Sequence, residues 1–80
     1  YPNPFNPSTN IRIEIPKASH VNLSVYNVLG QHITTLINKT LNQGVYNNMF
    51  NASNLPSGIY IYKLSIEGQA ALTGKMMLIK

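Results

Sequence analysis

The sequence predicts an all-β domain, a small antiparallel sandwich. Three observations carry that expectation. Apolar and polar residues alternate in short runs along the chain, clusters of Gly, Pro, Asn and Ser separate the runs, and no segment sustains a helical period. The opening, Tyr1-Pro2-Asn3-Pro4-Phe5-Asn6-Pro7, is rich in proline, which holds φ near about −65° and biases the preceding residue toward extended backbone. It reads as a semi-rigid linker over residues 1–8 that enters the first strand, with residues 9–80 forming one sandwich domain.

Each strand has its own justification. Behind Ser8-Thr9-Asn10, the run Ile11-Arg12-Ile13-Glu14-Ile15 has the alternation of a half-buried strand. Pro16-Lys17-Ala18-Ser19 turns the chain, and His20 to Asn27 puts Val21, Leu23 and Val25 on one face. Asn27-Val28-Leu29-Gly30 is a turn in which Gly30 supplies a positive φ, and His32 to Ile37 runs back with Ile33 and either Leu36 or Ile37 inward. Lys39 to Gly44 reads as a polar loop. Val45 to Phe50 is a strand whose two faces, Tyr46, Asn48, Phe50 and Val45, Asn47, Met49, are too alike to choose between. Asn51 to Gly58 has the composition of a tight loop, with Pro56 suited to a turn. Ile59 to Ile66 is the strongest strand, rich in β-branched and aromatic residues. Glu67-Gly68 turns it, and Gln69 to Lys80 returns as the last strand, with a bend or bulge expected at Gly74. Six or seven such strands suit a small Ig-like sandwich.

Composition narrows the function. The chain has 80 residues and no Cys, so neither disulfides nor thiolate-bound metal can staple it, and strand pairing with an apolar core must suffice. Six Lys or Arg stand against two Glu and no Asp, a net charge of +4. Charged residues are only 10% of the chain against about 25% in ordinary domains. Eleven Asn replace many of the missing charges, leaving strand edges with few of the guards that normally repel a second copy. The basic residues, Arg12, Lys17, Lys39, Lys63, Lys75 and Lys80, form no run of the kind that binds nucleic acid. The longest wholly apolar run, Met76 to Ile79, is far short of the roughly 20 residues of a membrane helix. The N-terminus lacks the parts of a signal peptide, which says little about a domain that ends a longer precursor.

A nucleophile, a base and an orienting acid cannot be assembled from two separated carboxylates, Glu14 and Glu67, so catalysis is not expected. His20 and His32 lack a carboxylate or thiolate at ligand spacing, so neither a metal nor another cofactor is expected. Asn22-Leu23-Ser24, Asn38-Lys39-Thr40 and Asn51-Ala52-Ser53 match the N-glycosylation pattern, at a frequency chance explains in so Asn-rich a chain. Tyr26, Tyr46, Tyr60 and Tyr62 are either core aromatics or a platform for carbohydrate, and Tyr60 and Tyr62 share a face by alternation.

Four blocks resemble the type A C-terminal sorting domain of the type IX secretion system: Tyr1-Pro2-Asn3-Pro4-Phe5, Val25-Tyr26-Asn27-Val28-Leu29-Gly30, Leu55-Pro56-Ser57-Gly58-Ile59-Tyr60, and Lys75-Met76-Met77-Leu78-Ile79-Lys80. The second and third are also similar to the Ig-like domain of flagellar hook-capping proteins. The sorting resemblance covers essentially the whole chain. It implies an Ig-like fold, a cargo domain on the N-terminal side in the precursor, recognition by the type IX machinery, and passage through the periplasm and across the outer membrane of a Gram-negative bacterium. It implies a sortase-like protease cutting near the linker, and cargo released to the medium or joined to surface lipopolysaccharide. The residues expected to carry sorting and recognition are Tyr1, Pro2, Asn3, Pro4, Phe5, Gly58, Tyr60 and Lys75 to Lys80, including Met76, Met77, Leu78 and Ile79. Two other classes compete. Sparse charge and Asn-rich strands allow self-assembly into filaments by strand addition, and an exposed Tyr60 and Tyr62 pair would suit an adhesion or accessory binding module.

Overall fold

The computed structural model of the chain describes residues 8–79 and the backbone of residues 4–5. Seven strands make two packed sheets: β1 (Pro4–Phe5), β2 (Ser8–Ile15), β3 (Ser19–Asn27), β4 (His32–Leu41), β5 (Gly44–Asn51), β6 (Gly58–Ile66) and β7 (Leu72–Leu78). The larger sheet has the order β1-β7-β6-β3-β4, and β2 pairs with β5 alone in the smaller one. All pairs are antiparallel except β1 with β7, which is parallel. The fold is therefore the all-β sandwich that the alternation predicts.

Side-chain alternation explains why these segments pair as they do. Ile11, Ile13 and Ile15 of β2 turn inward while Arg12 and Glu14 face solvent. In the larger sheet Val21, Leu23 and Val25 of β3 are fully buried and belong to the same core. Phe50, Tyr60, Leu64, Ile66 and Leu78 complete the core, each contributing about 1.5–3 kcal/mol by leaving water. The ambiguous strand resolves here. Phe50 is buried and Tyr46 packs against the core, whereas Val45 and Met49 are exposed. Burying a whole aromatic ring outweighs burying the smaller pair.

Four expectations need correction. The segment Lys39 to Gly44 is mostly strand: β4 continues to Leu41, whose buried side chain gives the polar stretch an apolar anchor opposite Ser19, and the connection shortens to Asn42 and Gln43. Gly74 is not a bulge, since the β6–β7 register runs unbroken from Gly58↔Leu78 to Leu64↔Leu72. Gly74 opposes Tyr62, and a Cβ there would sit 2.2 Å from the ring, so the glycine makes room for the tyrosine lying across it. The last strand starts at Leu72 rather than Gln69, because the Gln69 amide donates to the Ile66 carbonyl and closes the turn that Gly68 enters at φ +82°. Residues 1–8 also hold more than a spacer, as Pro4 and Phe5 pair with Met77 and Leu78, and Ser8 pairs with Asn51.

The choice between Leu36 and Ile37 has an unforeseen answer. The β3–β4 register shifts twice, leaving Leu36 and Ile33 outside the pairing. These bulges break the strict period of two, so Ile33, Leu36 and Ile37 all reach the core.

Leu23→Ala is expected to cost about 2–5 kcal/mol, comparable with the whole stability of so small a domain, and chemical denaturation would show a largely unfolded population. Gly74→Val should cost about 1–3 kcal/mol by forcing the Tyr62 ring aside, and far less in a Tyr62→Ala background. Equal costs in both backgrounds would mean that the ring is not the obstacle.

Candidate functional site

One end of the larger sheet gathers residues far apart in the chain. Phe5 lies beside Leu78 and Leu78 beside Gly58; Pro4 lies beside Met77 and Met77 beside Ile59. The next row is Met76, Tyr60 and Asn27, and the one after it Lys75, Ile61, Tyr26 and His32. The N-terminal segment, the turn after β3, the start of β6 and the end of β7 therefore share one end of one sheet. Tyr1, Pro2, Asn3, Lys80 and the side chains of Pro4 and Phe5 lie outside the described residues.

Local chemistry builds each part. Asn27 organises the turn: its Oδ1 accepts from the amides of Leu29 (3.0 Å) and Gln31 (2.9 Å), and its carbonyl accepts from Gly30 (3.0 Å). Gly30 sits at φ +83°, a region that non-glycine residues avoid. The result is a pinned turn whose tip holds Val28 and Leu29 at 67% and 80% exposure. Between β5 and β6, buried Ala52 accepts at its carbonyl from the Leu55 amide, and Oδ1 of Asn51 accepts from the Ser53 amide. The Tyr60 hydroxyl donates to the Pro56 carbonyl at 2.7 Å, and its ring tilts against Phe50 with centroids 6.3 Å apart.

The tyrosine question is thus decided. Tyr60 is buried and Tyr62 packs against the core over Gly74, so the shared face is the interior and no carbohydrate platform forms from this pair. Alternation also divides the C-terminal block. Met76 packs on the core and Leu78 is buried, while Lys75 is exposed, Met77 half-buried and Ile79 45% exposed. Along the outer edge of β7, β1 covers Met77 and Leu78, and among the described residues Leu72 to Met76 have no neighbour on that side.

The remaining polar groups pair locally. His20 bonds Asn38 at 2.9 Å, His32 bonds Thr35 at 2.9 Å with Tyr26 edge-on to its ring, and Arg12 pairs with Glu14 at 2.7 Å. Among the described residues no three His, Asp or Glu gather in a metal-binding group. Sequence reasoning missed the apolar turn tip and Ile59, although an apolar Val-Leu pair between Asn27 and Gly30 was a visible signal for an exposed knob.

The chain matches, over residues 1–80, the family model of the secretion system C-terminal sorting domain. The chain belongs to that family. No curated protein and no solved structure gives a significant match. The sorting domain is a C-terminal signal for type IX secretion, carried behind an N-terminal cargo and exported by way of the outer membrane. No helix among the described residues is long and apolar enough to span a membrane.

Asn27→Ala should destabilise the sorting domain by about 1–2 kcal/mol through loss of its bonds to the turn. Hydrogen exchange would show the change at Leu29 and Gln31; protection unchanged at both amides would refute the assigned role of Asn27.

Proposed function

We propose that the type IX machinery reads the sorting domain as a folded object at the end of the sheet where its four sequence blocks meet. The observation that carries this reading is the register, which brings β1, the turn after β3, the start of β6 and the end of β7 together. A linear signal has no need of such an arrangement. Within it, Tyr1 to Phe5, Gly58, Tyr60 and Lys75 to Lys80 divide into two roles. Tyr60, Met76 and Leu78 hold the fold, and Lys75, Met77 and Ile79 face outward where a partner reaches them. The edge of β7 from Leu72 to Met76, which no described residue covers, supports recognition by strand addition, in which main-chain bonds supply affinity and alternate side chains supply selectivity.

In this reading the domain performs no chemistry, and the cargo does the work after export. A sortase-like protease then cuts on the cargo side of Tyr1, leaving the cargo at the cell surface or in the medium. The proline-rich approach to β1 supports this step, since a stiff extended segment keeps a cut site clear of both folded bodies.

The test is a reporter with a signal peptide and residues 1–80 at its C-terminus, produced in a bacterium with a working type IX system. The reporter should reach the medium or cell surface, and should stay in the periplasm when the system is disabled. A Lys75→Ala, Lys80→Ala pair should lower export without lowering the melting temperature. Export independent of the type IX system would overturn the reading.

A further inference from the structure

The outward side of the same sheet end carries a feature that the core does not use. By alternation Ile59, Ile61, Lys63, Lys75 and Met77 share the face turned away from β2 and β5. Tyr26 adjoins Ile61 across the β3–β6 pairing, and the turn leaves β3 after Asn27, which pairs with Tyr60, the neighbour of Ile59. Ile59 is 39% exposed and Ile79 45%, and Val28 and Leu29 are 67% and 80% exposed at the pinned tip. The register thus gathers exposed apolar residues at one end of the sheet, with the turn as a projecting knob. Surfaces of that kind on small soluble domains mark interaction sites.

Charge gives the surface a direction. Lys63 and Lys75 are exposed on it, and among the described residues the ion pair is Arg12 with Glu14, which leaves both lysines uncompensated. Glu14 belongs to the other sheet, opposite Val45, and Glu67 lies four residues beyond Lys63 and eight from Ile59, about 13 Å and about 26 Å at the rise of a strand. The apolar knob therefore projects from the cationic end of this face, with the carboxylate of Glu67 beyond Lys63 at the far end.

We infer that this outward face, Lys75, Met77 and Ile79 included, is read by a protein partner presenting an apolar hollow edged with carboxylates. The inference rests on the sorting reading above and names the chemistry of what reads the domain. Convexity requires the hollow: Val28 and Leu29 project from a turn held by Asn27, so the partner must supply the cavity that covers them. The two lysines require the acidic rim. A second copy of the chain offers a hollow lined by Ile15, Val45, Ile66, Leu72 and Glu14, but that Glu14 is already paired with Arg12, and dimer formation is an outcome the test below separates. An anionic membrane fits poorly as well, since recognition of lipid headgroups uses clusters of about four to eight cations.

The reporter carrying residues 1–80 tests the inference directly. Three changes address the surface: Val28→Ser with Leu29→Ser, Ile59→Thr, and Lys63→Glu with Lys75→Glu. Val45→Ser with Met49→Ser, on the outer face of the smaller sheet, is the control. The knob and charge-reversal variants should lower the exported fraction about tenfold or more, as loss of an interface anchor does, and the control should export like the parent. Thermal melts of the purified chains separate lost recognition from lost folding, and Leu29→Lys alone replaces the double variant if that fails to fold. If the parent reporter is not exported, the sorting reading itself falls. If the parent is exported and the folded surface variants match it, the partner with an apolar, acid-edged hollow is overturned. Binding of the purified domain to phosphatidylglycerol vesicles, or a concentration-dependent dimer, would reassign the occupant and overturn the protein partner if the same substitutions abolish it.

Discussion

Everything in this domain hangs on one apolar layer, in which Ile11, Ile13 and Ile15 of β2 in the smaller sheet join Val21, Leu23 and Val25 of β3 in the larger. The chain has no Cys, and its smaller sheet has only two strands. An isolated two-stranded sheet is marginal in water, so β2 and β5 persist because their inner faces lie on the larger sheet. The larger sheet needs them equally, since without that cover its β-branched inner face would meet solvent. Each sheet is thus the other's condition for folding.

That mutual dependence turns a scattered set of residues into a single surface. Pro4, Asn27, Gly58 and Leu78 are separated by much of the chain, and only the ladder β1-β7-β6-β3 sets them at one end. Register is the vulnerable quantity, because a slip of one residue would turn Lys75, Met77 and Ile79 inward and Met76 and Leu78 outward. The buried tyrosine and leucine guard against such a slip. Tyr60 is pinned by Phe50 and the Pro56 carbonyl, and Leu78 is buried opposite Gly58.

The two faces of β6 and β7 carry separate duties. Inward residues store the stability, while the outward face holds aliphatic side chains and lysines that no described carboxylate pairs with, and little of the fold depends on it. A sorting domain of this construction can change how it is read without changing how it folds. The constraint falls on Asn27 and Gly30, whose hydrogen bonds and positive φ keep the apolar tip projecting.

The alternating residues by themselves determined the strands, the turns at Gly30 and Gly68, and the inward set Ile11, Ile13, Ile15, Val21, Leu23 and Val25. Alternation is local, and burying one face of a strand follows from it directly. The four sorting blocks were legible as well, since each is a short run of particular residues. The tertiary structure alone decided the rest, because each remaining feature depends on a distant partner. Phe50 chose the inward face of β5 through Tyr60 and the core, Leu41 extended β4 against Ser19, and Tyr62 explained Gly74 across the ladder. Bulges at Ile33 and Leu36 broke the period on which the sequence reading relied. The parallel pairing of Pro4 and Phe5 with Met77 and Leu78 joins segments more than 70 residues apart, and no local pattern encodes a contact of that range.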